Sequence, residues 1–448
     1  MGGSKTPSSS RIEWLEYVAA SIGMAFACSG FAMLGQLFAF STGWLLLVAV
    51  VVAGVLCGAI SLSIGELASM FPSAPGVRTY FKAAFGDQVS LALTFAVLGI
   101  VTLFAGVESY AFHAALKQVV PGLSPIAGMT LAIGTVAAMN LAGFEVPRKA
   151  QLVLAALIVL LLLVVSGRSF FGTPSVIEEA TGETGAAAAV AAAGGAVFLY
   201  TGFEWVTPLG RRPDAYRARI PWSMPAALTV LTLVFGLLTI ALGREVPRSM
   251  LHESLTPHVL LGERMGMRYL MIAVSMFATL TTFNAGLMGG SRLLYILARE
   301  RRFFSFAAQL SDRTGNPTRA VILIAVTCWG AAILEWAFDA YLEASTICAA
   351  LYAAVYACFG IANVRLRKTR AAAKRPFRAP VPPFVQLALA GLMALFGLGL
   401  LAAPQGRQIV VFGGFAGAVA ASAALAFLFV RRDAAPRRVA AVAATESE

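Results

Sequence analysis

Acidic side chains are scarce in this chain, and Glu66, Glu108 and Glu204 stand inside runs of apolar residues. A carboxylate in hydrocarbon is costly and marks a pathway, a proton relay or a tightly paired site. Glu204 is the acid best placed for coupling or gating, because it closes the run Tyr200-Thr201-Gly202-Phe203-Glu204; its alternative is to tie a broken helix to its neighbours. Glu108 lies one to two turns inside the end of its run, facing either a vestibule or a solvated rim. Glu66 and Arg292 fall near run ends, where gating contacts and snorkelling both fit.

The second source of chemistry is the main chain. Ile22-Gly23-Met24-Ala25-Phe26-Ala27-Cys28-Ser29-Gly30-Phe31-Ala32 and Gly194-Gly195-Ala196-Val197-Phe198-Leu199-Tyr200-Thr201-Gly202-Phe203 place small, weakly helical residues in the middle of two apolar runs. Unwound backbone at membrane depth is tolerated only where it lines a cavity or is buried in protein. Interruptions at matching places five spans apart are the mark of inverted-repeat transporters with a midplane substrate. The same small residues also serve tight helix packing. Thr279, Thr281 and Thr282 either supply oxygens to sodium or bond their own helix carbonyls.

Other chemistries lack their residues. Cys28, Cys57, Cys328, Cys348 and Cys358 lie in apolar stretches without CxxC spacing and read as small core residues rather than disulfides or metal ligands. His113, His252 and His258 fall at or beyond run boundaries and read as solvated. No His, Asp or Ser set converges at one depth, as an enzyme would need, and no GxxxxGK[ST] loop powers a pump. No cofactor is expected.

The elements that must hold these groups follow from composition. Of 448 residues, 59% are hydrophobic and 12% charged, against about a quarter charged in a soluble domain. Each crossing takes about 20 apolar residues, and twelve candidate spans emerge: 17–41, 44–70, 88–115, 124–142, 151–168, 187–209, 221–242, 268–297, 319–338, 341–364, 381–403 and 408–430. With the N-terminus cytoplasmic, 26 Lys and Arg lie in inside segments and 7 in outside ones. This positive-inside bias supports two cytoplasmic termini and removes nucleic acid as the reason for the +12 charge. The expected division is a cytoplasmic N-terminus (1–16), a ten-span core (17–364), a basic loop (365–380), two further spans (381–430) and a cytoplasmic tail (431–448). The first span is too long for a signal-peptide core and is expected to stay uncleaved.

Gly65-Glu66-Leu67-Ala68-Ser69-Met70-Phe71-Pro72-Ser73-Ala74 with Tyr80-Phe81-Lys82 and Ala84-Phe85-Gly86 resembles the end of the second helix and the next inner segment of the amino acid–polyamine–organocation (APC) permeases. Tyr200 to Glu204 with Ile220-Pro221, then Asn284, Ser291-Arg292-Leu293-Leu294, Ala298-Arg299 and Asn316-Pro317, resemble its sixth and eighth helices and their surroundings. Asn140, Gly143 and Gln151 fit the approach to its fifth. The resemblance runs from about Tyr17 to Arg378. It implies an all-α membrane protein of LeuT type: twelve transmembrane helices, a five-plus-five inverted repeat and broken helices 1 and 6. It also implies a permease of the cell inner membrane, not an enzyme. Ala27, Cys28, Ser29, Gly30 and Phe31 would then be a cradle of free N–H groups for a substrate carboxylate, since a helix N-terminus carries positive partial charge. Tyr200, Thr201, Gly202 and Phe203 would turn carbonyls to an amino group, with Phe198 as the aromatic that closes over the substrate and Phe203 as pocket wall or packing. The implied substrate is a small amino acid, with an ethanolamine- or polyamine-like amine, or amino acid exchange, as the alternative. Lipid and a coupling proton or sodium ion are the implied partners.

The chain departs from the family in places. Its first-helix motif is Ala27-Cys28-Ser29-Gly30, closer to the Ser-Gly form of amine permeases. Pro75 and Arg78 replace Gly and a small or aromatic residue, and Arg211 and Arg212 stand where many members have acids. Ile158 stands near the place of a fifth-helix Lys that substitutes for sodium in some proton-coupled members, so a Lys-based switch is not expected.

Overall fold

Apolar runs of this length give the backbone no water to bond, so each closes its hydrogen bonds within itself as helix. The computed structural model describes residues 7–41, 43–72, 76–144, 147–171, 185–209, 213–300, 302–403 and 407–434, and these are helical with no strand among them. Pro75, Arg211, Arg212 and the tail from 435 lie outside the described residues.

The first span is a pair, α1 (Pro7–Ala25) and α2 (Cys28–Phe40), bent by 58° where they meet. α3 (Gly43–Met70), the short α4 (Gly76–Phe85), α5 (Asp87–Leu116), α6 (Pro125–Leu141) and α7 (Arg148–Arg168) complete the first five. The sixth span begins as α8 (Ala186–Val197) and continues through two 3-10 segments, Phe198–Tyr200 and Phe203–Leu209. α9 (Arg219–Glu245), the short α10 (Arg248–Glu253) and α11 (Pro257–Arg264), α12 (Arg268–Glu300), α13 (Thr318–Ala337) and α14 (Tyr341–Thr369) follow. α15 (Pro383–Ala402) and α16 (Gln408–Ala434) end the described chain. Each expected span overlaps one of these elements or, for the first and sixth, a broken set of them. Ten are single stretches long and apolar enough to cross a bilayer; the bent pair makes an eleventh, and Pro125–Leu141 is a shorter apolar helix.

Burial shows which spans surround the site. In their most apolar windows α14 is 83% buried and the sixth span 78%, whereas α16 is 11%. The broken sixth span and α14 are therefore core, and α16 is a peripheral addition.

Charged groups knit the face at which α1 begins, called the basic face below. Glu66, fully buried at the end of α3, accepts hydrogen bonds from the Arg367 guanidinium, from Asn363 Nδ2 at 3.2 Å and from the Ala379 N–H at 2.9 Å. Arg375 Nε stands 3.2 Å from its other oxygen. Removing one partner of such a buried pair leaves an uncompensated charge, so Glu66 clamps the basic loop onto α3 and α14. Arg78, the family departure, is buried as well: its guanidinium meets Asp87 at 2.5 Å and Glu300 at 2.9 Å, fastening α4 between the ends of α5 and α12.

The opposite face is covered by α10 and α11. Arg248 donates to the Phe38 and Ala39 carbonyls that end α2, at 2.6 and 3.0 Å. His258 of α11 lies against Phe31, ring centroids 4.1 Å apart.

Candidate functional site

At the first break, Phe26 and Ala27 leave the helix, with Ala27 extended at φ −125°, ψ 145°. The first N–H groups of α2 then have no helical acceptor. Glu108 supplies one from α5: its two oxygens each accept one hydrogen bond, from the Cys28 and Ser29 N–H groups, both at 2.9 Å. Thr279 Oγ1 of α12 donates to the same carboxylate at 2.5 Å. On the other side of the gap, the Thr282 hydroxyl donates to the Gly23 carbonyl in the last turn of α1 at 3.0 Å and to that of Phe26 just beyond it.

These contacts change two expectations. The Ala27 to Phe31 segment is not a cradle of free N–H groups, because Cys28 and Ser29 are engaged by Glu108 and the Gly30 N–H bonds the Ala27 carbonyl at 3.1 Å. Nor does Glu108 stand on a vestibule rim, since it is fully buried. One to two turns inside the end of α5 is the depth of the break, where the positive end of α2 draws a carboxylate in.

The sixth span breaks at Thr201 and Gly202. Thr201 is extended at its 3-10 cap, and Gly202 sits at φ +99° with Met24 O only 2.5 Å from where a Cβ would stand. Both facts demand glycine. The Gly202 N–H donates to Tyr356 Oη of α14 at 3.2 Å, and that hydroxyl donates to Glu204 at 2.6 Å. Glu204 is thus tied to α14 through Tyr356, and it also lines a pocket of about 40 Å³ with Trp205, Met288 and Arg292.

Two further cavities lie near the breaks. One, of about 360 Å³, lies in the basic half of the bundle. Gly23 and Met24 form one of its walls, Gln151 and Ile158 another, with Pro208, Thr281 and Asn284 among the rest. The polar residues of the family motifs converge here: Asn140 Nδ2 donates to Asn284 Oδ1 at 2.8 Å, and Asn316 Nδ2 to the Asn140 carbonyl at 2.9 Å. The other cavity, only about 20 Å³, lies between the breaks, touching Thr201, Gly202, Thr282, Phe104, Trp205 and Tyr352. Met24 lines all three spaces.

Of the residues singled out in the sequence, Thr201 and Gly202 therefore face the central pocket. Phe198 is buried 5.7 Å from the ring of Phe104, itself a pocket residue. Tyr200 points away, donating to the Val50 carbonyl of α3 at 2.9 Å. Phe203 packs on Tyr356 at 5.4 Å and lines none of these three pockets. Thr281 bonds its own helix, whereas Thr279 and Thr282 bond across the break. The histidines correct the sequence reading in part: His252 is exposed, but His113 and His258 are buried, and burial pushes His258 down to about 3. Met24, Phe104, Trp205 and Tyr352 gave no signal as pocket residues, because large apolar side chains are everywhere in such a sequence. One trace was available: Gly289 is small because the Trp205 ring lies where its Cβ would go.

Other proteins share this geometry or the sequence that builds it. The pattern of the family described as "Amino acid permease" matches residues 12–411. The uncharacterized amino acid permease YecA of Bacillus subtilis (strain 168) is 23% identical over 334 residues, covering 70% of this chain and 75% of that protein. Cationic amino acid transporter 4, vacuolar, of Arabidopsis thaliana is 22% identical over 354 residues; the match covers 70% of this chain but only 57% of the plant protein. Among solved structures, a point mutant of the Eremococcus coleocola manganese transporter superposes with a TM-score of 0.64 at 12% identity, covering 96% of this chain and 98% of that one. At that identity the likeness speaks to fold alone.

Proposed function

Because the chain belongs to the amino acid permease family and is a multi-pass membrane transporter, we propose that it carries a small amino acid across the cytoplasmic membrane by alternating access, driven by an ion gradient or by exchange. The observation that carries this reading is the cavity of about 360 Å³ that runs from the basic half to Met24, where the two broken spans meet. A solute held there lies between the first span at Gly23 and Met24 and the sixth at Pro208 and Leu209, and rocking of spans 1, 2, 6 and 7 against the rest would open the opposite face. In this reading both termini and the basic face are cytoplasmic, Thr201 and Gly202 hold the substrate, Glu204 and Glu108 act in coupling, and Glu66 holds the gate region together.

A second reading rests on one observation. The Cys28 and Ser29 N–H groups that an amino acid carboxylate would use already hold the Glu108 carboxylate. An amine without a carboxylate leaves that arrangement intact, whereas an amino acid must displace Glu108 or bind elsewhere. The test is thermal stabilisation of the purified protein by a panel of neutral amino acids and their decarboxylated amines, since a ligand of the folded state raises its stability with the logarithm of occupancy. Stabilisation by alanine but not ethylamine supports the amino acid reading, and the reverse supports the amine. Saturable uptake of the stabilising solute into proteoliposomes, lost in Gly30→Trp, is the functional check. Gly30 has no atom within 4 Å of a Cβ position, so the added side chain starts from open space beside the break. Conductance without saturation, or no solute stabilising the protein, would remove the permease reading.

A further inference from the structure

One buried acid takes no part in either break. Glu335, near the end of α13, is 8% exposed, and both its carboxyl oxygens are buried without a hydrogen-bond donor. Its carboxyl group lies directly on Gly106 of α5, occupying the place a Cβ there would need. Gly106 is two residues from Glu108, so the two acids meet the same segment of α5.

An ionised carboxylate is among the most unfavourable groups to bury without partners, and buried acids are otherwise hydrogen-bonded or ion-paired. The titratable groups of the elements packed around Glu335 do not neutralise it. From α5 these are Glu108, Tyr110 and His113, with Lys117 one turn further at the helix end; from α14 they are Tyr341, Glu343 and Cys348; on α13 itself there is Cys328, and Asp339 follows its end. α6 and residues 270–291 of α12 carry none. Arg407, at the same end of the bundle, is engaged by Glu343 at 2.7 Å and by the Phe338 and Asp339 carbonyls.

A line of polar groups leads from Glu335 toward the face opposite the basic one. The Tyr341 hydroxyl, buried and without a hydrogen-bond partner, lies within electrostatic reach of both Glu335 and Glu108. Its ring is 5.8 Å from that of Tyr110, which lies 6.1 Å from His113. His113 Nδ1 is likewise buried and unpartnered. Three buried groups along this line with unused hydrogen-bonding capacity point to a ligand, and the smallest that a bare carboxyl pressed against Gly106 can bind is a proton.

We infer that Glu335 binds the coupling proton, entering past His113 and Tyr341, and that its charge state sets how α13 seats on Gly106 and thereby how Glu108 holds the first break. This rests on the transporter reading above. The neutral acid fits against Gly106 as seen. The ionised form must turn toward a donor, and the Tyr341 hydroxyl is one with no hydrogen-bond partner of its own.

The experiment reconstitutes the full chain in proteoliposomes with labelled alanine or ethylamine, whichever wild type takes up, and imposes a gradient of about one pH unit. With one proton per solute this supports about tenfold accumulation. Glu335→Gln should equilibrate without accumulation, about onefold, while still exchanging labelled for unlabelled solute; Glu335→Asp, which keeps a carboxyl, should restore accumulation. Tenfold accumulation in Glu335→Gln overturns the proposal. Infrared difference spectra across pH give a readout independent of solute: the C=O band of a protonated carboxyl should be present in wild type and missing in Glu335→Gln. An unchanged band overturns the proposal even if transport proceeds. If wild type takes up neither solute, the transporter reading fails and the infrared result alone decides protonation at Glu335.

Discussion

At the first break the main chain is held from outside, by Glu108 of α5 and by Thr279 and Thr282 of α12, whereas the sixth break is held by its own Glu204 through Tyr356 of α14. The first needs no special backbone: Ala27 is ordinary extended chain, and Gly30 has open space around it. The sixth depends on one glycine in a left-handed conformation pressed against the Met24 carbonyl. Two equivalent positions in an inverted repeat thus solve the same problem of unpaired main chain by different means. The first uses charge from the spans packed around it, and the second uses local geometry with one hydroxyl.

The contrast can be broken by substitution. Glu108→Ala strands two buried N–H groups and the Thr279 hydroxyl, and should cost about 3–5 kcal/mol, seen as a large fall in thermal midpoint in detergent. Glu204→Ala, which leaves Tyr356 still paired with the Gly202 N–H, should cost clearly less; equal losses would end the distinction between the two breaks. Gly202→Ala should cost about 2–3 kcal/mol, from the positive φ and the contact with the Met24 carbonyl, whereas Gly30→Ala should shift stability by less than about 1 kcal/mol.

Acid should loosen the first break from the opposite face. Burial holds His258 at about 3, from an ordinary value near 6.5. A histidine depressed on folding contributes stability in full above its unfolded value and loses it as pH falls. Between about pH 6.5 and 5 that loss is about 2 kcal/mol, and it falls on the ring that covers Phe31 and shares a hydrogen bond of 2.6 Å with Ser275. The thermal midpoint of wild type should drop across that range, and that of His258→Gln should drop less. A smaller effect than that of either acid is expected for Tyr356→Phe, about 1 kcal/mol for one bridging hydroxyl, read against Glu204→Gln in a double-mutant cycle in which the two changes should be non-additive.

What was legible in the sequence is what period, composition and helix-breaking residues control. Twelve apolar runs became the helices, and the small residues at Ala27 to Gly30 and at Thr201-Gly202 located the two breaks to within a residue or two, because a run of apolar residues cannot avoid being helix and glycine weakens it. The motif residues Asn140, Asn284 and Asn316, legible only through resemblance, were brought together at the cavity. The partners of those residues were hidden. Nothing near Glu108 in the chain indicates that Cys28 and Ser29, some 80 residues earlier, point their N–H groups at it.

His258 read as solvated because it falls beyond the apolar spans, yet the helix it stands on lies across α2 and buries it. Trp205 and Tyr352 read as generic bulk, yet they line the space between the breaks. The one-dimensional pattern determined which segments enter the membrane and where two of them come apart, since those outcomes depend on residues within a turn or two of each other. Which buried polar group answers which was decided only by packing, because a carboxylate and the N–H groups it satisfies need share a depth and a direction, not a stretch of chain.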